Sequence, residues 1–258
     1  MGKSGKKRIL LKIGSNVLTK ETNYISRGKI EDIASQIAAL KDEYEFVIVT
    51  SGAIAVAKQF VDLESKGKEI RVKQALASIG QPHLMRIYQE TFREHGLLTS
   101  QCLLSYSDFS KKESRENIKN TINVLVENNY IPIINENDTV ATDEIKFGDN
   151  DKLSALTAVL LDADLLIIAT NTDGIYTKES IESDCAKTIS ETSDIQMLRD
   201  QIQKSISLHG TGGMTTKIEA SEIAKQANIE TWIVNGLKDD FMVSAIQNKS
   251  EFTKITIH

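Results

Sequence analysis

Short apolar runs rich in Ile, Leu and Val recur along the chain, and each ends in a polar turn that precedes a helical pattern. RILLKI (Arg8–Ile13) runs into Gly14-Ser15-Asn16, and FVIVT (Phe46–Thr50) into Ser51-Gly52-Ala53. IPII (Ile131–Ile134) runs into NENDT, LLIIAT (Leu165–Thr170) into NTDG, and TWIV (Thr231–Val234) into Asn235-Gly236. Continuous apolar runs of this kind suit strands buried on both faces, as in a parallel sheet covered by helices. Between them, Ile30, Ile33, Ala34, Ile37 and Ala38 form a helical stripe after Ser26, and Ile118, Ile122, Leu125 and Val126 form another. Alternating β and α patterns predict an α/β fold with right-handed crossovers. A TIM barrel also suits a chain of 258 residues. The last pattern, however, is the strand-like FTKITI rather than a closing helix. An open sheet with helices on both faces is therefore expected.

That architecture gives the polar turns a common place. In open α/β sheets, ligands bind beyond the carboxyl ends of the strands. Gly14-Ser15, Ser51-Gly52, NEND and Thr170-Asn171 would gather along one rim. Polar residues are ordinary in loops, but several of these turns combine small residues with carboxylates or amides. A shared active site accounts for that combination better than coincidence does.

Composition narrows the function classes. The chain is 26% charged and 40% hydrophobic, with a net charge of -5, as in a soluble globular protein. No basic stripe for nucleic acid is present, and the GKSGKKR start is too short to supply one. No run approaches a membrane span or a signal-peptide core, so a cytoplasmic protein is expected. Cys102 and Cys185 lie far apart without metal-type spacing, and packing is their expected role. The four histidines offer no H-x-x-x-H pair, so no structural zinc site is expected.

The stretch GTGGMTTK (Gly210–Lys217) packs three glycines, three threonines and a lysine into eight residues. It is neither a Walker A loop nor G-x-G-x-x-G. Thr216 and Glu219 have the spacing of a capping box, which predicts a helix opening there with Lys217 in its first turn. A glycine-rich approach to a helix N-terminus suits an anion. Lys12 is the odd charge in RILLKI. It reads either as an edge-strand or snorkelling lysine or as an ammonium facing phosphate at the strand's carboxyl end. FGDNDKLSA places Asp149, Asn150 and Asp151 before a helical run, as an N-cap, as site residues, or as both. Two lysines, a glycine loop and a central aspartate suggest phosphoryl transfer, which depends on positioning and charge stabilisation. Lys12 and Lys217 would neutralise the transferred group from two sides, with Asp151 between them. No histidine base stands at the rim. A carboxylate acceptor is already ionised at neutral pH, so an acyl-phosphate product is favoured, with Asp138 or Asp149 as alternative bases for a hydroxyl acceptor.

The strings KIGSNVLT, VTSGAIA, VKQALASIGQ, IINEND, FGDNDKLSA and GTGGMTTK, in that order, resemble the amino acid kinase superfamily. KQALASIGQ, INEND and GTGGMTTK together are similar to the glutamate 5-kinase family within it. The resemblance implies a three-layer αβα sandwich around a mainly parallel sheet, with residues 1–258 as one kinase domain. The amino-acid site would lie in the N-terminal half and the nucleotide site in the C-terminal half. It implies transfer of the ATP γ-phosphoryl group to the L-glutamate side-chain carboxylate, with Mg²⁺ on the phosphates. By motif position Lys12, Lys217 and Asp151 would be catalytic, and Ser51, Asp138 and Asn150 would hold glutamate. Lys12, Thr170, Asn171, Thr211, Gly212, Gly213, Met214, Thr215, Thr216 and Lys217 would line the nucleotide. Proline as a feedback inhibitor and a homo-oligomer are further implications. Three departures stand out. No C-terminal PUA domain follows, Asn171 replaces the family's usual Asp (unless the register shifts to Thr172-Asp173), and TKESIESDCAKT lacks the usual Asp-Pro after Tyr-Thr.

Overall fold

The computed structural model of the 258-residue chain describes residues 5–20, 24–63, 70–140, 150–177, 187–203 and 212–258. The apolar runs form strands where their pattern places them. The first half comprises β1 (Lys7–Ile13), α1 (Ser15–Leu18), α2 (Arg27–Leu40), β2 (Tyr44–Val49), α3 (Ala53–Ala57), α4 (Ile70–Glu94), β3 (Leu98–Leu104), α5 (Tyr106–Ser110), α6 (Lys112–Glu127) and β4 (Tyr130–Glu136). The second comprises α7 (Asp151–Leu160), β5 (Leu165–Thr170), β6 (Glu191–Thr192), α8 (Ile195–Gln203), α9 (Gly212–Gln226), β7 (Glu230–Asn235), α10 (Phe241–Ile246) and β8 (Thr253–Ile255). The helix after Ser26 starts as its sequence suggests, with the Ser26 hydroxyl accepting from the Lys29 backbone N–H at 3.2 Å.

Among the described residues the strands form one eight-stranded sheet in the order β3-β4-β2-β1-β5-β7-β8-β6. From β3 through β7 every pairing is parallel, whereas β8 runs antiparallel to β7. The sheet is open, with β3 and β6 at its edges, so the barrel alternative is excluded. β1 sits between β2 and β5, and the chain builds outward from it on both sides. This is the topological switch point, where an α/β sheet leaves a crevice at its carboxyl rim.

Alternation along β1 assigns its side chains to two cores. Ile9, Leu11 and Ile13 join the core formed with α2, α4 and α10, including Ile33, Tyr88 and Met242. Leu10 joins the opposite core, made with α6, α7 and α9 through Ile122, Leu153 and Ala220. Successive strand residues point to opposite faces, so Lys12 shares the face of Leu10 and looks toward α7 and α9. The edge-strand reading of Lys12 is thereby overturned: it lies in the central strand and is 2% exposed.

Two close approaches frame the rim. Gly52 takes a φ of +105°, which favours glycine, as the N-cap of α3. A Cβ on Gly80 of α4 would stand 1.8 Å from the Ala53 carbonyl oxygen, so only a bare Cα lets α4 pack on the start of α3. Gly80→Ala is expected to cost about 3 kcal/mol by overpacking. Urea unfolding checks this, and an unchanged midpoint would contradict the contact. On the same side of the sheet, in α2, Lys29 is fully buried, a feature its sequence does not announce. Its Nζ donates to Asp32 Oδ2 (3.0 Å), the Lys238 carbonyl (2.9 Å) and Asp239 Oδ1 (3.2 Å). These bonds pin α2 to the turn between β7 and α10.

Candidate active site

The carboxyl ends of β1, β2, β4, β5 and β7 share one rim because those strands are parallel and in register, with Lys12 opposite both Val49 and Ile168, and Thr170 opposite Asn235. At its centre lies one carboxylate between two lysines. Asp151 is the first residue of α7, completely buried, where a negative charge also suits the helix N-terminus. Its Oδ1 lies 2.5 Å from Lys12 Nζ, and its Oδ2 lies 3.0 Å from Lys217 Nζ. Packing of α9 against α7 carries Lys217 into place, and its Nζ also donates to the Gly213 carbonyl at 2.9 Å. Gly14 leaves room beside the first lysine, since a Cβ there would lie 3.5 Å from Lys12 Nζ. Two ammonium groups against one carboxylate leave a net positive charge in a poorly solvated place. Such a place favours a multiply charged anion.

The glycine segment differs from the capping-box expectation. The helix begins at Gly212, so Thr216 and Lys217 lie in its second turn rather than at its start. The Thr216 hydroxyl is 2.8 Å from Asp151 Oδ2 and 2.9 Å from the Gly213 carbonyl, contacts that take the place of a cap. Gly212, Gly213, Met214 and Thr215 instead form the first turn, whose backbone N–H groups have no partner within the helix. Met214 packs its side chain against the small core of Ile175, Leu198 and Ile218. Thr215 is exposed. Gly210, Thr211 and Asp149 lie outside the described residues, as does Cys185.

On the other side of Asp151, buried amides are linked in series. Asn150 Nδ2 donates both to the Thr50 carbonyl (2.6 Å) and to Asn135 Oδ1 (2.8 Å). Asn135 Nδ2 donates to Gln81 Oε1 at 2.7 Å, and the Thr50 hydroxyl meets the Tyr88 hydroxyl at 2.8 Å. Ser51 holds the rim of β1 through a 3.3 Å bond from its hydroxyl to the Ile13 carbonyl. Asp138 follows β4 in a turn, and burial pushes its carboxyl up to about 6. Thr170 ends β5, with its carbonyl accepting from Gly236 N at 2.7 Å, and Asn171 beside it is exposed. Asp173, the alternative register, instead bonds Asn235 Nδ2 (3.1 Å) and Lys238 Nζ (2.5 Å). Thr50, Gln81, Tyr88 and Asn135 receive no role from sequence. Gln81 and Asn135 do fall within KQALASIGQ and INEND, but each alone reads as an ordinary polar residue.

A buried lysine–carboxylate–lysine centre of net positive charge at the switch point of an open α/β sheet suits a phosphoryl-transfer class of enzyme. The chain belongs to the amino acid kinase family, whose family model matches residues 7–235. Among curated relatives it is similar to glutamate 5-kinase of Alkaliphilus oremlandii (strain OhILAs), with 40% identity over 96% of this chain and 95% of that protein. It is also similar to glutamate 5-kinase 2 of Bacillus subtilis (strain 168), with 39% identity over 96% of this chain and 67% of that protein. The crystal structure of UMP kinase from Ureaplasma parvum superposes with a TM-score of 0.66 at 18% identity, covering 97% of this chain and 99% of that one. That likeness establishes the amino acid kinase fold.

Proposed function

We propose that the protein is an ATP-dependent glutamate 5-kinase. It transfers the γ-phosphoryl group of ATP to the side-chain carboxylate of L-glutamate, giving L-glutamyl 5-phosphate and ADP, the first step of proline biosynthesis. The observation that carries the reading is the buried Lys12–Asp151–Lys217 centre. A side-chain carboxylate oxygen attacks the γ-phosphorus as the bond to the β-phosphate oxygen breaks. No proton moves, so no base is required. The two lysines meet the charge spread over the transferred group, and Asp151 holds both in place. The first turn of α9 with Thr211 and Thr216, and Thr170-Asn171, would line the nucleotide, while Ser51, Asp138 and Asn150 would hold glutamate. Asn150 has committed both amide hydrogens, so its oxygen would meet the α-ammonium rather than a carboxylate.

Among the described residues, no group of three or more His, Cys, Asp or Glu side chains could hold a metal ion. Mg²⁺ would enter with the nucleotide, held chiefly by its phosphates. Among the described residues no helix is long and apolar enough to cross a membrane. A cytoplasmic homo-oligomer that is inhibited by proline and does not bind nucleic acid completes the reading. Light scattering tests the assembly, and adding proline to a glutamate titration tests the inhibition.

ADP release with glutamate, aspartate or N-acetylglutamate tests the reaction. Release with glutamate alone is expected, and release only with another acid would move the substrate. Asp138 adds a pH prediction. Its carboxyl is held near 6 instead of about 4, so protonation neutralises it as pH falls through that value. The KM for glutamate is expected to rise below about pH 6, and Asp138→Asn should remove the step. The stability sign is opposite: the raised value favours the folded state at low pH, and that contribution is lost between about 4 and 6. A KM flat from about pH 5 to 7.5 would contradict the role.

A further inference from the structure

The series of buried amides beside Asp151 has a fixed direction. Asparagine and glutamine orientations follow from what surrounds both ends of the amide. Asn135 Oδ1 accepts from the Glu136 backbone N–H at 2.9 Å, so its oxygen end is set by the main chain. Its Nδ2 must then donate, and it donates to Gln81 Oε1 at 2.7 Å. Asn135 Oδ1 in turn receives Asn150 Nδ2, whose other hydrogen goes to the Thr50 carbonyl. Two acceptors therefore hold the nitrogen end of Asn150, and its oxygen is directed away from them. All three amide residues are at least 92% buried, since Gln81 is 8%, Asn135 2% and Asn150 5% exposed. A rotated amide would leave unmet polar atoms where water does not compensate them. Gln81 Nε2 is buried without a hydrogen-bond partner among the described residues, so the Oε1 end alone joins this amide to the series.

We propose that Gln81 and Asn135 are positioning residues for substrate specificity, fixing the Asn150 carbonyl oxygen as an acceptor that selects a free α-ammonium group over an N-acylated one. The inference rests on the glutamate 5-kinase reading for the identity of the acceptor. An ammonium brings several charge-assisted donors to that oxygen. An N-acyl amide brings one neutral N–H and added bulk. Gln81 acts through Asn135 and does not touch the reacting atoms. Its place behind Asn135 separates its effect from that of the lysines.

The test compares wild type with Gln81→Met, which keeps the side chain's length and loses the acceptor, and Gln81→Glu, which keeps the acceptor. Gln81→Met is expected to raise the KM for glutamate about tenfold, the scale of one buried hydrogen bond, with kcat changed less than about threefold. The preference for glutamate over N-acetylglutamate should fall by a similar factor, and Gln81→Glu should recover most of it. A folded Gln81→Met protein with wild-type KM and preference would overturn the proposal. So would equal defects in the Met and Glu variants. If Gln81→Met does not fold, Gln81→Ala in the same helix carries the same expectation. Calorimetric titration with glutamate and with N-acetylglutamate reads the preference without turnover. Wild type that binds glutamate preferentially but releases no ADP overturns the reaction, and loss of that binding preference in Gln81→Met then supports the positioning role. Wild type that binds both acids equally overturns the positioning role.

Discussion

Lys217→Ala is expected to fold normally and lose at least about a hundredfold in kcat, some 3 kcal/mol or more of transition-state stabilisation. The two halves of that expectation have separate causes. Removing Lys217 leaves Asp151 still paired with Lys12, so no buried charge is stranded and stability should hold. The site nonetheless changes from net positive to neutral, and the γ-phosphoryl group loses a donor on one side. The KM for ATP should move less than kcat, because the charge on the transferred group is met most strongly in the transition state. Circular dichroism and steady-state kinetics on the same preparation check both halves. Near-normal turnover in a folded variant would remove Lys217 from the mechanism.

Asp151→Asn should behave in the opposite manner. It leaves two ammonium groups in a buried site without their shared counter-charge, since Lys12 is 2% and Lys217 7% exposed. Removing one partner of a buried pair costs about 3–5 kcal/mol, and this carboxylate serves two. Urea unfolding should therefore show a large loss of stability. Phosphate or ATP should restore more stability in Asp151→Asn than in wild type, because the anion replaces the missing charge. Equal stabilisation of both proteins by phosphate would show that the lysines do not face the anion site. Activity should fall as well, since neither lysine is then held in register.

Much of this arrangement is legible in the sequence, for reasons that differ by element. β5 coincides with LLIIAT, β1, β4 and β7 contain their apolar runs, and β2 holds all of FVIVT but its last residue, Thr50, because strands buried on both faces need unbroken apolar side chains. β3, LTSQCLL, lies at the sheet edge and is half-exposed, so polar residues interrupt its pattern and it has no comparable signal. β6 has two residues, too few for any period. Lys12 is legible as an anomaly, a charge within an apolar run. Its partner Asp151 is legible as the carboxylate between two lysines, but no local period shows the contact, which spans 139 positions of chain. The sequence pattern misplaces the start of α9 because the Thr216–Glu219 spacing imitates a cap, whereas the structure uses that hydroxyl on Asp151. Glycines disfavour a helix interior, but in a first turn they cost little and leave the backbone open. The amide series is invisible in sequence, because Gln81 and Asn135 meet across 54 positions and each alone reads as an ordinary polar residue.

The most direct test of the central claim is trapping of the product with hydroxylamine. Purified protein with ATP and Mg²⁺ would receive glutamate, aspartate or N-acetylglutamate in separate reactions. Glutamyl hydroxamate from glutamate, absent in Lys217→Ala, is the predicted result. ADP formed without any hydroxamate would mean that the acceptor is not a carboxylate and would contradict the account.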